Sequence, residues 1–315
     1  MVIKKEKKVF ITLKKYLFIF SFLAISLIHF AIFWVYINFD TIRLTFYSFN
    51  AAKQTYFWNN FENYKLIFEH IFIPQKRDIV TYNAFINTFR ALVINLIIFP
   101  LALIVSYAFY KKVPGTRIFR VIFYLPSIVS IVVLAMAYRA MFRAGTGPIW
   151  QLFASFGYKP DWLAATPGSK TIWPAIYFFA IINGMGTNVI LMASSMQRIP
   201  NEVSEAARLD GCGFFRELIS VTVPCIMPTI TSWMTMIFTS VFAFYLQPML
   251  IGTDPIDGTT LTIPWLIFNA AEAGSSNMNA MINAATMGIF LSVFMLPFIL
   301  LMRFVMKKLT PEVSY

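Results

Sequence analysis

Six apolar runs of membrane-spanning length constrain this chain more than any other feature of its sequence. The first, from Tyr16 to Ile37, would extend about 33 Å as a helix, enough to cross a hydrocarbon core of about 30 Å. A secretory signal would have a shorter apolar region and a small-residue cleavage site. Neither is seen, so this run is expected to remain as a first span. The other spans are expected at about 85–109, 118–138, 172–195, 226–250 and 281–302, with Pro126 inside the third. Composition agrees. Only 13% of the residues are charged and 58% are hydrophobic, whereas soluble domains carry about 25% charge. The expected fold class is all-α and integral to the membrane, with six transmembrane helices.

The polar stretches set the organisation. Residues 1–15 are a basic head with six lysines. Residues 16–82 hold the first span and an outer loop too long for a tight turn. Residues 83–308 form a core of five spans, and 309–315 are a tail. Six spans place both termini on one side. The head, the 111–120 loop, the loop 197–224 and the residues that close the sixth span (Arg303, Lys307 and Lys308) carry sixteen Lys and Arg together. The three opposite loops carry eight, five of them in the long first loop. Long loops weigh little in the positive-inside rule, so both termini and loop 197–224 are expected to be cytoplasmic. The net charge of +12 does not indicate nucleic acid, because the basic residues cluster beside apolar runs. Cys212 and Cys225 give neither a disulfide framework nor metal spacing.

The stretch from Gln197 to Pro224, QRIPNEVSEAARLDGCGFFRELISVTVP, is the longest polar interruption late in the chain. Pro200 suits the first turn of a helix. Val203, Ala206, Ala207 and Asp210 follow at helical spacing, and the two alanines make a small face. Gly211 stands where a helix would end in the left-handed region. Phe214 with Leu218 and Phe215 with Ile219 form i,i+4 pairs of a second short helix. By pattern alone this is a charged helix–turn–helix between the fourth and fifth spans. Its spelling is more specific. Glu205-Ala206-Ala207, three residues, Gly211, nine residues, then Val221-x-Val223-Pro224 resembles the EAA loop of ABC-importer permeases. Asp210 before Gly211 is similar to the sugar-permease branch. Phe61-Glu62-Asn63-Tyr64 and Asn87-Thr88 resemble two further family segments. Residues 250–255 occupy the place of a glycine-rich family segment, from which Ile251 and Asp254 depart. Tyr245 stands where sugar permeases often have Asp. The resemblance covers roughly residues 16–308.

The resemblance implies a membrane-spanning permease subunit of an ATP-driven importer of the multiple-sugar or maltose type. It would lie in a bacterial cytoplasmic membrane and supply half of a translocation path for a carbohydrate, with an oligosaccharide as the expected cargo. The implied partners are a second permease subunit, commonly a different chain, two cytoplasmic ATPase subunits and an extracytoplasmic solute-binding protein. Loop 197–224 would dock on the ATPase, with Glu205, Ala206, Ala207, Asp210 and Gly211 as its coupling residues. ATP hydrolysis is expected in the separate subunit, since there is no G-x-x-x-x-G-K-[ST] phosphate loop. HExxH and GxSxG are also absent, and no cofactor is expected.

Polar residues inside spans are costly in lipid and tend to face a cavity. Asn183, Gly184, Asn188, Ser240, Phe244, Tyr245 and Gln247 are the candidates for a substrate path in the fourth and fifth spans. Rings would cover the C–H faces of a sugar, and amides would both donate to and accept from its hydroxyls. For Gly186, Thr231 and Thr235 helix packing is the expected role. Arg139 and Arg90 are expected to snorkel to the interface. The competing function is a self-sufficient secondary transporter or channel. It would need ion-coupling carboxylates within the spans or paired inverted repeats. No Asp or Glu falls inside the six expected spans.

Overall fold

The computed structural model describes residues 2–158, 172–252, 258–273 and 277–310, with side chains from residue 15 onward except residue 17. The first helix is longer than expected at both ends. Helix α1, Val2–Phe30, widens into a π-helical stretch at Ala31–Tyr36 and continues as α2, Ile37–Leu44. The polar residues after Ile37 do not end it, because they bond back to its own turns. Asn38 donates to the Trp34 carbonyl, Thr41 to that of Ile37, and Arg43 pairs with Asp40 at 2.8 Å. Nothing in Phe18–Leu44 is buried within the chain, as suits a span whose neighbour is lipid.

The outer loop is folded, and part of it is a β-hairpin, the one sheet among the described residues. Strands β1, Tyr47–Asn50, and β2, Thr55–Trp58, pair antiparallel. Asn50 caps their turn by accepting from the amides of Ala52 and Lys53. Helix α3, Glu62–Phe72, follows. Asn63 is buried at its start and donates to the carbonyls of Thr45 and Tyr47, tying hairpin to helix.

Helix α4, Ile79–Tyr110, is the central element. It packs against α3 and several of the helices that follow, and it contributes to both apolar cores. The expected third span is broken. Helices α5, Thr116–Ile128, and α6, Ile131–Phe142, meet at 106°. Pro126 removes an N–H from the last turn of α5. Val129 and Ser130 then turn extended, with ψ of 144° and 132°. Helix α7, Pro148–Ser155, precedes α8, Ile172–Met196, which lies along α4 and α5. A Cβ on Gly186 would fall 2.6 Å from the carbonyl oxygen of Phe123, so α8 and α5 touch only because that side chain is missing.

Helix α9, Asn201–Leu209, and helix α10, Phe214–Glu217, form the helix–turn–helix. A π-helical stretch, Leu218–Thr222, leads to α11, Val223–Cys225. An 83° bend separates Phe214–Cys225 from α12, Met227–Ser240. The expected fifth span, 226–250, starts at that bend and is interrupted further along. Residues 241–245 make a turn and α13, Leu246–Ile251, begins after it. Pro248 has no N–H for the carbonyl of Phe244, and the Thr262 hydroxyl donates to that carbonyl at 3.0 Å instead. Helix α14, Ile263–Ala273, lies in the segment 251–279 expected as an outer loop. That segment is polar on average, which hides the apolar stretch that starts at Leu261. Helix α15, Met278–Leu309, closes the chain. Among the described residues four helices are thus long and apolar enough to cross a membrane alone, and up to six crossings result if each bent pair counts as one.

Candidate functional site

The helix–turn–helix is built by local rules. Pro200 is the residue just before α9 rather than within its first turn. Gly211 has φ of +73°, the left-handed value expected of it. Around it the amide of Cys212 donates to Ala207 and that of Gly211 to Arg208, both at 3.0 Å. These are the two bonds of a Schellman end, which satisfy carbonyls that a helix terminus leaves open. The two alanines separate: Ala207 is buried, while Ala206 is exposed beside Glu205 and Asp210.

Three side chains lock this unit to the end of α4. The ammonium of Lys111 pairs with the Glu217 carboxylate and donates to the Ser204 hydroxyl at 2.8 Å. Ser204 donates in turn to Glu217 at 2.8 Å. Both charged side chains are nearly buried, 11% exposed for Lys111 and 5% for Glu217. Phe214 adds a ring contact with Tyr107 at 4.7 Å. Lys111 and Glu217 are 106 positions apart, so neither their pairing nor its burial was visible in the spacing of the loop. The outward face is also unlike a solvated loop. Leu209 is 89% exposed, with Phe215 and Ile219 exposed on the following turns.

The substrate-path candidates fall into two groups. Asn183 lines a pocket of about 450 Å³ with Tyr138, Phe142, Phe153 and Phe178, between α6, α7 and α8. None of the fifth-span candidates lines that pocket. Gly184 packs over Ile98 of α4, and the Asn188 amide bonds to the Gly184 carbonyl within its own helix. On the other side, Ser240 accepts from Asn95 of α4 at 3.1 Å. Phe244 is buried in the main core. Tyr245 stacks on Phe268 of α14 at 5.1 Å, and Gln247 sits half-buried on α13. Thr231 and Thr235 bond to carbonyls of their own helix, in keeping with packing.

A further polar cluster holds the chain between α13 and α14. The Asn87 amide donates to the carbonyls of Gly258, Thr259 and Leu261, and the Thr88 hydroxyl accepts from the Ile263 amide. Trp173 of α8 also donates to Thr259. Arg90 is exposed, donates to Asn87 at 3.0 Å and lies over the Trp173 ring. Arg139 reaches the Leu250 carbonyl at the end of α13. Of the segment 250–255, residues 253–255 lie outside the described residues.

The family profile described as "Binding-protein-dependent transport system inner membrane component" matches residues 81–315. This chain belongs to that family. It is similar to the diacetylchitobiose uptake system permease protein NgcF of Streptomyces coelicolor. That protein is 27% identical over 277 residues, which are 84% of this chain and 76% of the relative. The sn-glycerol-3-phosphate transport system permease protein UgpA of Shigella dysenteriae is 25% identical over 196 residues, 62% of this chain and 65% of the relative. A chain in the crystal structure of a bacterial ABC transporter involved in import of the acidic polysaccharide alginate shares the fold. Its TM-score is 0.77 at 20% identity, over 96% of this chain and all of that one. A second structure, of a bacterial alginate ABC transporter with an alginate pentasaccharide-bound periplasmic protein, matches equally well, at a TM-score of 0.77. As a family member the chain is a multi-pass membrane permease component of a transport system, not an enzyme.

Proposed function

We propose that this chain is one of two membrane subunits of an ATP-driven importer and that its cargo is a carbohydrate of oligosaccharide size. The observation that carries the reading is the outward face of the helix–turn–helix. Leu209, Phe215 and Ile219 are exposed beside Glu205 and Ala206 on a unit that is otherwise anchored rigidly to α4. Exposed apolar residues rimmed by charge on a fixed scaffold suit a protein partner. A cytoplasmic ATPase is that partner in this reading. Movement of the docked ATPases is passed through the Lys111–Glu217 anchor to α4, and so to the helices around it.

Both termini and the helix–turn–helix are cytoplasmic, and residues 83–308 are the transport core. An extracytoplasmic binding protein delivers the cargo, and a second permease completes the path. Asn183, Tyr245 and Gln247 are the side chains on this chain's half. The names of the chitobiose relative and of the alginate transporters support a sugar cargo. The test is co-purification with an ATPase subunit from native membranes, followed by uptake of labelled oligosaccharides in vesicles containing the complex. Recovery of an ATPase and ATP-dependent uptake are expected. Sugar uptake that needs no ATPase but follows an ion gradient would replace this reading with the secondary transporter.

A further inference from the structure

A cleft of about 1010 Å³ opens between α9 and the connection from α4 to α5. Its wall carries Lys111, Lys112, Arg117, Arg120 and Arg208, against the single acid Glu205. Lys111 is taken up by Glu217 and Ser204. The other four cations form no ion pair among the described residues. Like charges gathered around one cavity repel one another, and the cost rises where low-dielectric walls focus the field. Glu205 is the single acid in the lining to offset four unpaired cations. Arg117 and Arg120 also sit near the start of α5, whose first turn has no acidic residue, and positive charge is disfavoured at that end of a helix. The guanidinium of Arg120 lies over the Phe109 ring at 5.8 Å. Val113 and Ile118 are exposed beside these cations, Ile118 by 68%.

Two features separate the candidate occupants. The connection joins the end of one apolar helix to the start of the next, so the cleft stands at the level where hydrocarbon gives way to headgroups. It also sets exposed aliphatic side chains against cations, an arrangement that fits a headgroup with its acyl chains better than an acidic protein surface. Basic pockets between transmembrane helices bind anionic lipid headgroups by this chemistry.

We propose that this cleft binds an anionic phosphate group, that of a phospholipid headgroup, between Lys112, Arg117, Arg120 and Arg208. Ile118 lies along the acyl chain. The site is separate from the path for cargo and does not rest on the orientation of the chain.

The full-length protein, purified in mild detergent, would be examined by native mass spectrometry after exposure to phosphatidylglycerol or phosphatidylcholine. Inorganic phosphate would be added as a competitor in a parallel series. Wild type should retain phosphatidylglycerol in preference to phosphatidylcholine. The double variant Arg117→Gln/Arg120→Gln should retain it roughly 10- to 30-fold less strongly, since each cation near the surface contributes about one factor of five. Arg117→Lys/Arg120→Lys keeps the charge and should stay within a few-fold of wild type, which separates loss of the site from loss of the fold. Displacement by millimolar phosphate, sensitive to the same variants, would identify a free anion as the source and still support the site. Equal lipid retention by wild type and the glutamine variant would overturn it. So would loss of ATPase recovery in that variant with lipid retention unchanged, because the cleft would then be a protein docking surface.

Discussion

The Lys111–Glu217 pair shows how much a single contact can decide. Two charges removed from water carry a large desolvation cost, and each is tolerable only while the other is present. Removing one partner should therefore free the helix–turn–helix from α4 rather than unfold the protein. Lys111→Met should weaken the attachment by about 3 kcal/mol, seen as faster amide hydrogen exchange across residues 201–222. Adding Glu217→Leu to that variant should recover most of the protection, because an apolar pair of similar volume leaves no charge stranded. Additive losses in the double variant would mean that the two side chains act independently. Gly211 tests the backbone of the same unit. A Cβ there meets no atom within 4 Å, so within the chain a substitution acts first through φ. Asn enters the left-handed region readily and a β-branched residue does not. Gly211→Asn should thus keep near-normal ATPase recovery and uptake, and Gly211→Val should lose most of both at normal abundance. Similar behaviour of the two variants would show that the turn does not set the docking angle.

At the scale of the helix, α4 carries both cores, so its ends matter. Asp78 caps its start and accepts from the Thr81 amide at 2.9 Å and the Thr81 hydroxyl at 2.6 Å. Partial burial pushes its carboxyl up, but these bonds outweigh burial and hold it below the usual aspartate value. A carboxylate depressed on folding stabilises above its unfolded pKa, near 3.9, and that contribution fades as pH falls through the folded value. Asp78→Asn retains the cap without a titrating group, so its thermal midpoint should change less with acidification than that of wild type. Asp78→Ala should lose about 1 kcal/mol at neutral pH. Parallel pH profiles for wild type and the Asn variant would remove the cap from the account. The same scale shows what was legible in advance. The apolar runs announced the long helices, and Gly211 announced the end of α9, because each is a local rule. The breaks after Ile128 and Ser240 were not legible. Pro126 lies inside an apolar run, and membrane helices often absorb a proline when neighbours satisfy the freed carbonyl. Here the chain turns instead after Ile128, and beyond Ser240 the Phe244 carbonyl that Pro248 leaves open is met by Thr262, 18 residues away. The hold of Asn87 on Gly258 to Leu261 spans more than 170 residues, beyond any spacing argument.

For the whole molecule the open property is its orientation, and the charge asymmetry makes a definite claim about it. Sixteen basic residues lie in the segments assigned to one face and eight in those assigned to the other. The structure adds that the basic 111–120 connection and the helix–turn–helix share one surface, since Lys111 joins them. Whatever side one occupies, the other must occupy too. Short loops rich in Lys and Arg are retained in the cytoplasm, so this surface is expected inside and the hairpin outside. Two cysteine positions test both ends of the molecule. Cys212 lies in the turn after α9 and is part-exposed, and Cys225 can be replaced by serine. In Cys225→Ser, an impermeant thiol reagent should label Cys212 only after the cells are permeabilised. Lys53→Cys, placed in the exposed hairpin turn of a chain lacking both native cysteines, should label in intact cells. The reverse pattern would put the helix–turn–helix outside, beyond the reach of any cytoplasmic ATPase. The proposed coupling would then fail even though the family and the fold would stand.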